Sequence, residues 1–262
     1  MDELPAAGDV LDAAARIAGH VAVTPVLRSR ALDVLAGCTL VFKAEHLQPG
    51  GAFKLRGDGQ GGAVVARGMG DHAAREATCV QVQAETGATL VHPYADARVI
   101  AGQGTAALEL LQQAGSLDAV VVPVGGGGLA AGTALALAAA APDCRLVLAE
   151  PAGAADTARA LVAGVRQTDF VPDTVCDGLR AVLGEPNFRI LQAAGAEAAV
   201  VDDAATLAAM RLLWQELKQV VEPSSAIALA AVLAQPQRFA GLRVGVVLTG
   251  GNVDLEALPW RA

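Results

Sequence analysis

The chain has 262 residues, of which 53% are hydrophobic, 18% charged and 3% aromatic, with a formal net charge of −8. Such a length holds one large α/β domain or two modest ones, and so apolar a composition supplies a core and argues against disorder. The acidic balance argues against nucleic acid or an anionic membrane surface as partner, since either calls for a basic face.

From the N-terminus, Asp9–Gly19 carries helical periodicity closed by glycine, and an extended run follows from Val21 to Leu27. Leu40–Lys43 predicts a short strand, Ala63–Ala66 a second, Asp71–Glu85 a helix and Thr89–His92 another strand. Ile100–Gly115 predicts a helix, introduced by Gly102-Gln103-Gly104-Thr105 and closed by glycine. The alternation then sharpens into strand Ala119–Val124, loop Gly125–Gly128, helix Leu129–Ala141 and strand Arg145–Ala149. Further on, Pro223–Leu233 reads as a buried helix and Val244–Leu248 as a strand with Thr249-Gly250-Gly251-Asn252 at its tip. Short apolar strands alternating with helices predict a parallel sheet covered on both faces. The longest apolar run, Leu129–Ala141, is too short to span a bilayer, and the opening MDELPAAGDV lacks the apolar centre of a signal peptide. A soluble, cytoplasmic protein is therefore expected. Cys38, Cys79, Cys144 and Cys176 lie far apart with no CxxC pair, so neither a disulfide framework nor a zinc site is expected.

The strongest local signal is VVVPVGGGGLAAG, a buried strand feeding four consecutive glycines and then a helix. Glycines let the backbone approach a ligand closely, and the amides at the following helix start point outward with the favourable end of the dipole. That is an anion cradle, best suited to a phosphate; the competing explanation is a tight turn, for which one or two glycines suffice. Leu129-Ala130 after Gly128 excludes the Walker pattern. Two other strands end in polar groups, Glu150-Pro151 and Thr249-Gly250-Gly251-Asn252, and in open α/β sheets the carboxyl ends of strands share one ligand crevice. GGAFKLRG brings Lys54 into a stretch of small residues directly after Phe53. A lone lysine is ordinarily a solvated charge, but beside a phosphate cradle it could form a Schiff base with an aldehyde cofactor.

At this point the sequence resembles a family. AEHLQPGGAFKLRG, VHPYADARVIAGQGT, VVVPVGGGGLAAG, LAEPAGAAD, PDTVCDGL, VEPSSAIALAAVL and VVLTGGNVDLEALPW occur in the order found in fold-type II pyridoxal-phosphate enzymes, in the serine/threonine dehydratase and serine racemase branch. The resemblance implies a parallel-sheet α/β large domain formed by residues 1–57 and 98–262. It implies Lys54 as the Schiff-base lysine and the base that shuttles the α-proton. Phe53 would lie against the ring of pyridoxal 5'-phosphate, Gly125, Gly126, Gly127, Gly128 and Leu129 would hold its phosphate, and Thr249 would place a hydroxyl on the pyridine nitrogen. In the racemase branch an EP-x-x-A-x-D pattern binds a divalent cation, and Glu150, Ala154 (through its carbonyl) and Asp156 match it; Mg²⁺ or Ca²⁺ would suit such oxygen ligands, while two solvated loop carboxylates would explain the pair equally. The family further implies a small amino-acid substrate and a homodimer. His92 reads as a hydrogen-bonded structural histidine, Tyr94 as a substrate contact or loop packing, Glu222 as a cofactor neighbour or helix-start carboxylate, and Trp214 as packing.

One part of the family pattern is absent. After the lysine segment the family continues through a helix and a strand into a serine-serine-glycine-asparagine-histidine loop that receives the substrate carboxylate. Here Lys54-Leu55-Arg56-Gly57 passes through Asp58-Gly59-Gln60-Gly61 straight to GAVVARGMGDHAAREA, which resembles a later part of the small domain. Residues 58–97 are thus expected to be the remnant of a truncated small, substrate-binding domain. The activity implied is β-elimination of a hydroxy amino acid such as L-serine or L-threonine to a 2-oxo acid and ammonia, with turnover impaired by the missing wall. Racemisation of serine or dehydration of 3-hydroxyaspartate are the alternative activities, and a cofactor-binding scaffold without turnover is the alternative of another class. Pro49-Gly50, where animal racemases carry Lys-Thr, together with the setting of Arg28 and Arg30, speaks against control by ATP.

Overall fold

The computed structural model describes residues 4–58, 72–87 and 91–260. Its centre is a six-stranded sheet of β1 (Val26–Leu27), β2 (Thr39–Lys43), β3 (Ala119–Pro123), β4 (Arg145–Pro151), β5 (Glu197–Val201) and β6 (Arg243–Val247), in the order β1-β2-β6-β3-β4-β5. β1 is an antiparallel edge, and every other neighbouring pair is parallel. The expected parallel α/β sheet is therefore present, and it is buried on both faces as parallel sheets require.

Alternation along the strands assigns the two faces. Ala119 and Val121 of β3 join Leu40, Phe42, Val244 and Val246 against the helix Pro223–Ala234. Val120 and Val122 turn the other way, with Val41 and Val247, onto the helices Ala97–Ala114 and Gly128–Ala140. From β3 the chain winds outward through β4 and β5, then returns to lay β6 on the opposite flank of β3. The carboxyl ends of β4, β3, β6 and β2 are consequently consecutive along one sheet edge, where a ligand crevice forms in such folds.

The helix expected to be introduced by Gly102-Gln103-Gly104-Thr105 instead begins at Ala97, capped by the Asp96 carboxylate, which accepts the Arg98 amide. Its glycines lie inside the helix because they set how closely it packs. A β-carbon on Gly104 would sit 2.5 Å from the Gly132 carbonyl oxygen, and one on Gly102 would strike the Arg56 carbonyl. The helices Ala97–Ala114 and Gly128–Ala140 therefore cross backbone to backbone. Helix His72–Thr86 matches its expected span from residue 72 on. The expected strand Ala63–Ala66 and the segment Gly59–Gly62 lie outside the described residues, as do Thr89 and Leu90, while Val91 and His92 are not in a strand. Between Pro151 and Glu222 the fold adds the helices Asp156–Ala163, Glu185–Ala193 and Asp203–Leu212 and the edge strand β5. All four cysteines are free. Among the described residues no helix is long and apolar enough to cross a membrane.

Candidate active site

The approach to Lys54 is built by backbone bonds. Gly50 and Gly51 take φ values of 84° and 77°, a left-handed turn that side chains resist, and the chain then runs antiparallel to the tip of β6. The Gly251 amide donates to the Gly51 carbonyl at 3.0 Å, Ala52 bridges Gly250, and the Phe53 amide donates to the Thr249 carbonyl at 3.0 Å. Lys54 follows one residue later. Its side chain is exposed, with the ammonium 5.3 Å from the centre of the Phe53 ring. Glu222 stands nearby at the same tip, accepting the Asn252 amide at 3.1 Å. Burial raises the Glu222 pKa, and the positive charge of Lys54 opposes that rise.

Two residues beyond Lys54 the chain is anchored by charge. Arg56 is wholly buried, and its guanidinium forks onto both oxygens of Glu45 at 2.6 and 2.8 Å and both oxygens of Glu109 at 2.9 and 2.8 Å. Lys43, at the end of β2, reaches the same Glu109 carboxylate at 2.7 Å and the Thr24 carbonyl at 2.7 Å. Burial works to raise the Glu109 pKa, but hydrogen bonds from Arg56 and Lys43 outweigh it and hold it below the usual value of 4.5. Two cations and two carboxylates thus pin the turn that carries Lys54 to β2 and to the helix Ala97–Ala114. Sequence reading passes over Glu45, Lys43 and Glu109; charges embedded in the apolar stretches VFKAEHL and AALELL are the signal available.

The tetraglycine lies at the tip of β3. Gly125, Gly126, Gly127 and Gly128 are all buried, Gly127 takes φ 90° and caps the helix Gly128–Ala140, and a β-carbon on Gly126 would lie 2.5 Å from the Tyr94 ring. Leu129 opens that helix and is buried beside the loop. No group among the described residues accepts the Gly126 or Gly127 amide. Buried amides without acceptors are costly in a folded chain, and they mark the place an anion would fill. The Gln103 side chain lies against both this loop and Gly57, three residues beyond Lys54: built β-carbons on Gly57 and Gly128 would meet its amide at 3.3 and 2.5 Å.

Glu150, Ala154 and Asp156 gather at the tip of β4. Both Glu150 oxygens accept amides of the helix Asp156–Ala163, from Thr157 at 2.7 Å and Ala158 at 2.8 Å, and burial pushes its pKa up to about 7. Neither carboxylate is the solvated loop residue of the plainer reading. One oxygen of Asp156 accepts the Leu183 amide at 2.9 Å, while its Oδ1 is buried without a partner. Among the described residues no group of three or more His, Cys, Asp or Glu side chains is placed to hold a metal. Asp156 Oδ1 is thus the one unsatisfied oxygen of the two carboxylates, both Glu150 oxygens being taken up by backbone amides.

Of the remaining candidates, His92 accepts the Ala95 amide at 3.1 Å and stacks edge-on to Tyr94, a turn-forming role. Tyr94 packs its ring on Gly126, Trp214 donates to the Val221 carbonyl at 3.0 Å and packs against Trp260, and Glu222 caps the helix Pro223–Ala234.

Comparison with known proteins fits this geometry. The family model described as pyridoxal-phosphate dependent enzyme matches residues 59–250. The chain belongs to that family. The β-hydroxyaspartate dehydratase of Paracoccus denitrificans (strain Pd 1222) is 40% identical, the alignment covering 98% of this chain and 99% of the relative. The serine racemase of Arabidopsis thaliana is 38% identical, with 96% of this chain and 95% of the relative covered. Among solved structures, a T.th. threonine deaminase superposes with a TM-score of 0.85 at 42% identity, covering 96% of this chain and 99% of that one. The alignment with the Paracoccus relative runs over 312 positions against the 262 residues here, so this chain is shorter by about fifty. Enzymes of the family use pyridoxal phosphate, and the residues present fit it: an accessible amine beside the tip of β6, and a buried loop of unclaimed amides at the tip of the neighbouring β3.

Proposed function

We propose that this protein eliminates water from a small 3-hydroxy amino acid, such as L-serine, L-threonine or 3-hydroxyaspartate, giving a 2-oxo acid and ammonia. The observation that carries the reading is the buried loop whose Gly126 and Gly127 amides find no acceptor among the described residues, at a strand tip next to the one that holds the Lys54 approach. Gly125, Gly126, Gly127, Gly128 and Leu129 would hold the phosphate of pyridoxal 5'-phosphate, Thr249 would offer its hydroxyl to the pyridine nitrogen, and Phe53 would lie along the ring. When bound, the cofactor supplies the electron sink that makes the α-hydrogen of an amino acid acidic. Lys54 would hold the cofactor's aldehyde carbon through its amine and, once displaced by substrate, take the α-proton. The β-hydroxyl then leaves, and the released enamine hydrolyses in water. Glu222, which accepts the Asn252 amide, would steady the tip of β6 near the lysine.

The relatives named dehydratase, racemase and deaminase support this class of reaction without selecting the substrate. The Paracoccus relative supports the 3-hydroxyaspartate reading, and the Arabidopsis relative keeps racemisation as the alternative. We propose residues 58–97 as the remnant of the substrate domain, a reading supported by the shorter chain, with turnover correspondingly low. Glu150, the Ala154 carbonyl and Asp156 would bind Mg²⁺ or Ca²⁺. A cytoplasmic homodimer with no nucleic-acid or membrane partner completes the reading, supported by the acidic charge and the family resemblance.

Purified protein given pyridoxal 5'-phosphate should develop a yellow absorption band that borohydride fixes onto Lys54, and Lys54→Ala should lack it. Assay of 2-oxo acid from L-serine, L-threonine and 3-hydroxyaspartate then ranks the substrates. A band with no product from any of them would favour the scaffold reading; product without a band would refute the cofactor assignment.

A further inference from the structure

We infer that Asn187, far from Lys54 in sequence, is a positioning residue that aims the amides of the tetraglycine loop; the inference rests on the phosphate assignment above. Asn187 is fully buried in the first turn of the helix Glu185–Ala193. Its Nδ2 donates to the Gly126 carbonyl at 2.6 Å and to the Tyr94 carbonyl at 2.8 Å. Two carbonyl acceptors fix which end of the side-chain amide is nitrogen, since the flipped arrangement would set oxygen against oxygen. The Gly184 amide donates to the same Gly126 carbonyl at 3.0 Å, so that oxygen has both lone pairs engaged.

A trans peptide is planar, with its carbonyl and its amide hydrogen on opposite sides. Holding the Gly126 carbonyl toward Asn187 therefore turns the Gly127 amide the other way, to the side where no described protein group receives it. Glycine at φ 90° has no side chain to resist rotation, so an external clamp is what selects one orientation. The clamp is itself braced. Leu183, one residue before Gly184, donates its amide to Asp156, and the second acceptor of Asn187 belongs to Tyr94, whose ring covers Gly126. A β-carbon on Gly127 would lie 3.0 Å from the Asn187 Cβ, so loop and clamp are fitted to each other.

The test is titration of apo-protein with pyridoxal 5'-phosphate and, separately, with pyridoxal, which lacks the phosphate, followed by absorbance. Asn187→Asp keeps the shape and replaces the donor with an acceptor; Asn187→Ala removes the group and guards against a misfolded aspartate variant, with thermal melts on both. Losing a buried donor should weaken pyridoxal 5'-phosphate binding about tenfold or more in both variants, while pyridoxal binding stays within about twofold of wild type. Equal loss for both ligands, or no loss for either, overturns the positioning role. Wild-type protein that does not prefer the phosphorylated ligand overturns the phosphate assignment itself, and the inference with it.

Discussion

At the scale of single residues, the Lys54 turn depends on charges that never see the substrate. Arg56 is the only cation forked onto Glu45 among the described residues, and Glu45 is fully buried. Arg56→Ala would leave the Glu45 and Glu109 carboxylates with Lys43 as their one remaining cation among the described residues. Removing one member of such a buried set costs about 3–5 kcal/mol, far more than an exposed ion pair is worth. Urea unfolding of Arg56→Ala should show a loss of that order, and Arg56→Lys should recover part of it, because one ammonium cannot fork onto two carboxylates. A loss below about 1 kcal/mol would mean that the anchor is held by packing instead. Lys54 and the tetraglycine are legible from sequence because chemistry concentrates there in rare residue patterns. Asn187 is not, since it is an ordinary polar residue on a helix until folding brings its distant partners.

At the scale of elements, the crossing of the helices Ala97–Ala114 and Gly128–Ala140 is set by missing side chains. A β-carbon on Gly132 would meet the Ile100 carbonyl and the Gly104 backbone, atoms that cannot swing aside as a side chain can. Gly132→Ala should therefore destabilise by about 1–3 kcal/mol in a thermal or urea melt, despite the better helix propensity of alanine. The helix Ala97–Ala114 also carries a pH dependence, through Glu109. Its folded-state pKa lies below 4.5, so the unfolded chain takes the proton first as pH falls. The stability it contributes is complete above about pH 4.5 and is lost as pH drops through the lower folded value. Urea midpoints across that acid range should fall more steeply for wild type than for Glu109→Gln. Gly102 and Gly104 mislead a local reading of this helix, because pattern alone cannot tell a loop glycine from one that admits another backbone. The strands β2, β3, β4 and β6 are legible as unbroken apolar runs; β5 is not, as an edge strand with Glu197 and Val200 facing solvent carries a diluted signal.

At the scale of the whole molecule, the proposed reading, a cofactor cradle without a complete substrate wall, would separate two properties that enzymes usually show together. Grafting the family's serine-serine-glycine-asparagine-histidine segment, with its flanking strand and helix, in place of Gly59–Gly62 should raise kcat/KM at least about tenfold while leaving pyridoxal 5'-phosphate affinity nearly unchanged. An unchanged kcat/KM in a graft that folds would show that the short chain already orients its substrate. Mg²⁺ or Ca²⁺ should raise the melting temperature of wild type and leave Asp156→Asn unmoved, and equal shifts in both would refute the assigned ligands. The strand order has a further effect on folding. Among the described strands β6 follows the other five in the chain, yet it is the one that joins β2 to β3. Until β6 is in place, the half bearing Lys54 and the half bearing the glycine amides share no strand edge, so the crevice between them is completed late in folding.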